Sequence, residues 1–220
     1  MIDPLRYRYQ TVEIGDMEIH IRSLRDILDF HHESSMAQDA DICDTQFPLF
    51  GVLWPSSLIL AEVMLTRKIK NLNILEVGCG LALPSILLSL RGASIKVTDN
   101  HPSVATFLTE NIRINQCEPI PFIHADWENG HELPEREQFD LIIGSDVLYQ
   151  RDDSADLSNF INLHSRQKCE VIIVDPNRGN QKEFKKQMKA IGFAHSKDER
   201  IFYDEFQSKL KGSVHYYSRL

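Results

Sequence analysis

The chain has 220 residues, 42% of them apolar, enough to build one compact core without a second one. Its 32 acidic residues outweigh 24 basic ones, for a net charge of −8. That balance argues against nucleic acid as the main partner, because phosphate binding needs a net basic face. The four cysteines (Cys43, Cys79, Cys117 and Cys169) form no CxxC pair, so neither a metal site nor a disulfide framework is expected, and free thiols suit a reducing cytosol.

The opening MIDPLRYRYQ lacks the apolar run of a signal peptide, and no stretch approaches the roughly 18 to 20 apolar residues of a membrane span. The expectation is a soluble, cytoplasmic protein with no membrane partner. Residues 11–14 and 17–21 alternate apolar with polar around Gly15-Asp16, which predicts a β-hairpin. Ser23-Leu-Arg-Asp26 reads as the capped start of a short helix with Leu24, Ile27 and Leu28 on one side. Residues 33–50 are polar and aperiodic and read as a loop or lid.

From Pro55 the pattern becomes regular. Pro55 suits the first turn of a helix continued by Leu58, Ala61, Glu62 and Leu65. Apolar runs at 74–77, 95–99, 120–125, 139–144 and 171–175 read as buried strands. Helices are expected at 85–90, closed by Gly92, at 103–114 and at 154–164. A further helical stretch sets Lys182, Lys185, Lys186 and Lys189 opposite Phe184, Met188 and Ile191, a plain solvent face. Short buried strands separated by helices mean right-handed crossovers, hence a doubly wound parallel sheet covered on both faces. The tail breaks that rhythm: 192–195 with 201–203, then 214–217, read as a hairpin added to the sheet.

Glu76-Val-Gly-Cys-Gly80 lies where the first of these runs meets a helix, so its glycines let the backbone come close to a ligand. Dinucleotide sites begin the same way, but here the third glycine position of that fingerprint holds Leu83, followed by Pro84. Glu76 further suits a cationic ligand end and would repel a phosphate. Asp99, 19 residues beyond Gly80, can accept both hydroxyls of a ribose, or else cap a helix. Asp126 and Trp127 follow the next run, where an acid and a ring could flank a base; packing is the plain alternative for Trp127. Together these describe an adenosine with a positive tail, the shape of S-adenosyl-L-methionine. Asp175-Pro-Asn-Arg178 reads as an acceptor contact or a simple turn, and His31-His32 as solvated helix residues.

Glu76-Val-Gly-Cys-Gly-Leu, Asp99-Asn100, Asp126-Trp127 and Asp146-Val-Leu-Tyr149 resemble the class I, seven-β-strand methyltransferases, and among them the family 16, methyltransferase-like protein-lysine methyltransferases. The likeness takes in Gly51-Val-Leu-Trp54-Pro55 and runs from about residue 50 to 175. It implies a Rossmann-like α/β fold: a mainly parallel seven-stranded sheet with a C-terminal antiparallel hairpin, residues 51–220, and an N-terminal hairpin and helix extension, residues 1–50. It also implies that Trp54, Gly78, Gly80, Asp99, Trp127 and Ser145 line the cofactor pocket, with Glu76, Asn100 and Asp126 beside them. Asp146 and Tyr149 then face the transferred methyl.

The expected activity is methyl transfer from S-adenosyl-L-methionine to a protein lysine, with no metal; the sequence leaves the oligomeric state open and favours a monomer. A small-amine methyltransferase and a non-catalytic adenosine-binding protein are the alternatives. Asp146 would position the acceptor nitrogen and Tyr149 shape its channel, unless Asp146 merely caps a helix.

Overall fold

The computed structural model describes residues 6–25, 49–127, 137–149, 153–177, 179–203 and 209–220. Five strands run parallel: β3 (Asn73–Val77), β4 (Ser94–Asp99), β5 (Phe122–His124), β6 (Phe139–Ser145) and β7 (Ser165–Asp175). They lie in the order β5-β4-β3-β6-β7, and β9 (Lys209–Arg219) and β8 (Ala194–Tyr203) extend that sheet antiparallel beyond β7. The chain leaves β3 toward one edge and returns on its other side, so the switch point of the sheet is at β3, where open α/β sheets bind ligands.

Helices α1 (Pro55–Thr66), α2 (Leu83–Leu90) and α3 (Val104–Asn115) cover one face, packing against Ile74, Val97, Leu141, Ile143 and Ile172. Helices α4 (Asp153–His164) and α5 (Gln181–Ala190) cover the other with Leu157, Ile161, Phe184 and Met188, against Leu75, Ile142, Val171, Ile173 and Tyr217. Burial on both faces is why the strands read as unbroken apolar runs rather than alternating ones. Among the described residues no helix is long and apolar enough to cross a membrane.

The N-terminal hairpin, β1 (Tyr7–Ile14) and β2 (Met17–Leu24), turns at Gly15-Asp16 as expected and pairs antiparallel. It shares the first core rather than forming its own: Ile14, Ile19, Ile21 and Leu24 are buried among residues of α1, α2 and α3. Two asparagines one turn apart on α3 complete the backbone of β2. The Asn111 Oδ1 accepts from Arg22 N–H at 2.8 Å, and Asn115 Oδ1 from His20 N–H at 2.8 Å. Their amide groups donate back to the carbonyls of the same two residues. Alternate residues of a strand edge are thus paired by a helix, which removes an open edge.

Three expectations are corrected. Ser23 and Leu24 end β2, with Leu24 opposite Tyr7, rather than opening the expected helix, because pairing with β1 takes up their backbone groups; Asp26, Ile27 and Leu28 of that expectation lie outside the described residues. Residues 26–48, including His31-His32 and nearly all of the expected loop, lie outside the described residues; Leu49–Gly51 form a 3-10 turn. Strand β5 is confined to Phe122–His124, since Pro121 has no N–H and can only accept, from Val97, at 3.0 Å. Strand β7 begins at Ser165, its polar first half recruited by pairing Ser165 with Phe139 and Cys169 with Arg219.

Candidate functional site

The turn after β3 takes left-handed backbone at alternate residues, Gly78 (φ 59°), Gly80 (φ 51°) and Ala82 (φ 58°). A Cβ on Gly78 would meet Val147 Cγ1 at 2.7 Å and face the Trp127 ring at 3.6 Å; one on Gly80 would come within 3.1 Å of the Phe50 carbonyl oxygen. Both glycines are required by conformation and by space. The third left-handed residue is Ala82, not the Leu83 to which the dinucleotide spacing points; the signal that could have found it is the every-second-residue step from Gly78 to Gly80.

Asp99 closes this turn from the end of β4. Its Oδ2 accepts the Gly80 N–H at 2.9 Å and its Oδ1 the His101 N–H at 3.0 Å. Burial raises its pKa against the pull of those amides. Helix α3 starts at Val104, so Asp99 does not cap it. The Gly80 amide, which a pyrophosphate would need, is already held by a carboxylate of the chain itself.

Glu76 sits below the turn, 1% exposed, and accepts a hydrogen bond from Ser85 Oγ at the start of α2. Burial pushes its pKa up to about 8, and neighbouring Asp99 adds to the rise while Ser85 opposes it. At neutral pH it is therefore a neutral carboxyl rather than the ionised acid expected from the sequence.

Above the turn, Phe50 stacks on the His101 ring at 4.1 Å and meets Phe107 edge-on at 5.4 Å. The His101 Nδ1 accepts the Ser103 N–H, and burial lowers its pKa to about 4, so the ring is neutral. Trp54 donates its indole N–H to the Leu49 carbonyl at 2.8 Å, which folds the segment before α1 back on itself. Trp127 is half-buried, and its indole N–H is buried without a hydrogen-bond partner among the described residues. Asp126 beside it is half-buried, whereas Asn100 is exposed, its carbonyl oxygen 2.8 Å from His124 Nε2.

On the neighbouring strand end, half-buried Ser145 closes β6, and Asp146 has left-handed backbone (φ 55°) with its N–H on the Val174 carbonyl at 2.9 Å. The next residues, Val147 and Leu148, are buried, and Tyr149 is 44% exposed. The segment is irregular rather than helical, and α4 begins only at Asp153, so Asp146 caps no helix. Asp175, at the end of β7, is 1% exposed and accepts from Gln181 Nε2 at 3.0 Å. Asn177 accepts from Gln181 and Ser213, each at 3.2 Å. Asp175 and Asn177 are thereby knitted to α5 and β9; Arg178 lies outside the described residues.

The structure thus gathers Glu76, Gly78, Gly80, Asp99 and Trp127 around one turn, with Trp54 in the segment that lies over it and Ser145 and Asp146 one strand away. Sequence reasoning missed Phe50, His101, Ala82 and Val147. Phe50 falls in a stretch without periodicity, His101 carries no motif, Val147 stands unremarked inside Asp146-Val-Leu-Tyr149, and Ala82 is marked only by the step from Gly78 to Gly80. Among the described residues, no three His, Cys, Asp or Glu side chains converge as a metal site.

The family model described as lysine methyltransferase matches residues 44–191. The histidine protein methyltransferase 1 homolog of Dictyostelium discoideum is 33% identical over 124 residues, covering 53% of this chain and 40% of that protein. Protein N-lysine methyltransferase METTL21A of Xenopus tropicalis is 30% identical over 131 residues, 56% of this chain and 59% of the relative. Histone-arginine methyltransferase METTL23 of Xenopus laevis is 29% identical over 123 residues, 53% and 51% of the two chains. The chain spans about half the length of these curated relatives.

Among solved structures, the Thermus thermophilus 16S rRNA N2 G1207 methyltransferase in complex with AdoMet and guanosine aligns with 99% of this chain and 52% of its own, at a TM-score of 0.65 and 16% identity. Magnesium protoporphyrin IX methyltransferase from Synechocystis with bound SAM aligns with 87% and 94%, at 0.61 and 17% identity. Those likenesses are of fold. The fold, its order of strands and the match over residues 44–191 agree: the chain belongs to the lysine methyltransferase family of class I, S-adenosylmethionine-dependent methyltransferases.

Proposed function

We propose that this chain transfers a methyl group from S-adenosyl-L-methionine to a lysine side chain of a protein. One observation carries the reading: a glycine turn whose Gly80 amide is held by Asp99 opens onto the same sheet edge as Asp146. A pocket built so suits a cationic nucleoside better than a diphosphate. The cradle at Gly78 and Gly80, which any Cβ would fill, and the unpartnered indole N–H of Trp127 fit such a ligand.

Trp54, Gly78, Gly80, Asp99, Asn100, Asp126, Trp127 and Ser145 hold the cofactor in this reading, with Glu76 beneath its charged end. When bound, the cofactor supplies an electrophilic methyl group on a sulfonium that is discharged as the methyl leaves. The chain contributes alignment and exclusion of water. A lysine ammonium must lose a proton before its lone pair can attack. Asp146 holds the ammonium at the mouth and orients the free amine, and Tyr149 shapes the channel beside it. Replacing Asp146 with Ala is expected to abolish turnover and leave cofactor affinity within about twofold, under ~0.5 kcal/mol. A fully active Asp146→Ala enzyme refutes the assignment.

Residues 1–50 form an extension on the methyltransferase domain of residues 51–220, and the working protein is a cytoplasmic monomer with no nucleic acid or membrane partner. The names of the relatives span lysine, histidine and arginine as acceptors, so histidine or arginine methylation is the second reading. Mass spectrometry of lysate proteins labelled by the purified chain separates the three. Label found only in small molecules overturns protein methylation, and calorimetric binding of NAD in place of S-adenosyl-L-methionine overturns the reading as a whole.

A further inference from the structure

The C-terminal hairpin is longer than the sheet it completes. Ser213 pairs with Asp175, the last residue of β7, and with Glu199 on β8. Beyond that rung, Arg200↔Gly212, Ile201↔Lys211, Phe202↔Leu210 and Tyr203↔Lys209 stay paired with no β7 residue beside them. At roughly 3.4 Å per residue, this arm stands about 14 Å past the sheet. It projects from the edge at which the parallel strands end, the edge that carries the glycine turn and Asp146.

Strand β8 is also outermost in the sheet. Outermost strands are usually blunted by charge: among the described residues Lys197-Asp198-Glu199 are charged alongside the sheet and Arg200 at the first overhanging rung, whereas Ile201-Phe202-Tyr203 beyond it carry no charge. A strand edge whose last three paired residues carry no charge, set at the reactive pole, is suited to pairing with another backbone.

We propose that the overhanging edge of β8 pairs with an extended segment of the protein acceptor and so delivers its target lysine to Asp146. This deepens the protein-methylation reading and rests on it. The net charge of −8 and the acid at the mouth favour a segment bearing a cation. Main-chain pairing gives affinity that is largely independent of side chains, while the pocket at Asp146 selects the lysine.

The test uses the full chain and a variant in which residues 201–211 are replaced by Asn-Gly, joining Arg200 to Gly212 through a two-residue hairpin turn. The probe is a peptide of about twelve residues centred on the lysine most heavily labelled in lysate, made plain and with backbone N-methyl groups that cannot donate to a strand. Expected is a KM for the plain peptide raised about tenfold by trimming, with calorimetric S-adenosyl-L-methionine affinity unchanged. N-methylation should raise KM for the full chain and not for the trimmed one.

Equal activity of the two proteins on the plain peptide, or equal sensitivity of both to N-methylation, overturns the proposal and leaves protein methylation standing. Loss of cofactor affinity on trimming also overturns it, since the arm would then serve the cofactor. If the full chain labels no protein, both readings fall. Should the trimmed chain not fold, Ile201→Pro and Phe202→Pro in the intact arm, one of which removes an N–H from the open edge, are read by the same KM comparison, and an unchanged KM in both overturns the proposal.

Discussion

At Glu76 the neutral state is the consequential feature. An uncharged carboxyl beneath the turn exists because burial outweighs the Ser85 hydrogen bond, setting its pKa near 8. A cation arriving above it lowers that pKa, so cofactor binding near pH 7 should expel a proton, and affinity should climb as pH rises toward 8. Calorimetry in two buffers of different ionisation enthalpy counts that proton. Glu76→Gln should abolish the release, and an unchanged count in the variant would mean that Glu76 never meets the ligand's charge. Ala82 carries a different strain, since left-handed backbone costs a residue with a Cβ on the order of 1–2 kcal/mol. Glycine there removes the strain but loses a buried methyl worth about 0.8 kcal/mol and adds freedom to the unfolded chain. Ala82→Gly should therefore lie within about 1 kcal/mol of the parent, whereas Ala82→Val should lose more than about 2 kcal/mol, or at least ~4 °C in Tm. Equal melting of the two variants would contradict the strain argument.

Among the elements, α3 ties the N-terminal hairpin to the site by hydrogen bonds. Asn111, fully buried, satisfies both backbone groups of Arg22 and donates to the Leu81 carbonyl in the glycine turn at 3.3 Å. Asn111→Ala leaves those groups unpaired, at a cost of about 2–4 kcal/mol, and should weaken cofactor binding severalfold because Leu81 is released. Thermal melting and cofactor titration of the same sample check both halves; a destabilised variant with unaltered affinity would uncouple hairpin from turn. No periodicity foretells this clamp, because an asparagine on a helix acquires its partner only when a strand is brought beside it. What was legible came from local chemistry. The apolar runs at β3, β4 and β6, Pro55 at the head of α1, and the hairpin turn at Gly15-Asp16 each declare themselves in a few residues. Gly78, Gly80 and Asp99 were legible for the same reason, since a tight turn and a strand-end acid have narrow sequence requirements. The full length of β7 and the stacking of Phe50 on His101 depend on distant partners and leave no local mark.

For the whole molecule, the buried titratable groups oppose one another across the pH scale. His101 and His215 have pKa values lowered from 6.5 to about 4, each first by burial; nearby His124 adds to the effect at His101, and His195, Lys197 and Lys185 at His215. Unfolding restores their affinity for protons, so between about pH 4 and 6.5 the unfolded chain binds more protons and stability rises with pH. Glu76 acts in the other direction. Its folded pKa near 8 exceeds the ordinary 4.5, so the folded chain holds the extra proton and stability falls as pH rises through that window, by at most about 1.4 kcal/mol per pH unit. Below pH 6.5 the two histidines outweigh Glu76; above it Glu76 sets the slope, and the buried Cys79 and Cys169 thiols, raised from 9.0 by burial, add to the decline as their unfolded counterparts begin to ionise. The Tm of the isolated chain should therefore peak near pH 6.5 and decline toward pH 8. In Glu76→Gln the alkaline decline should flatten while the acid limb keeps its slope. Calorimetric melting from pH 4.5 to 8.5 decides it: a parent whose Tm keeps rising to pH 8 would show that Glu76 is ionised in the folded protein, and the neutral carboxyl beneath the glycine turn would have to be given up.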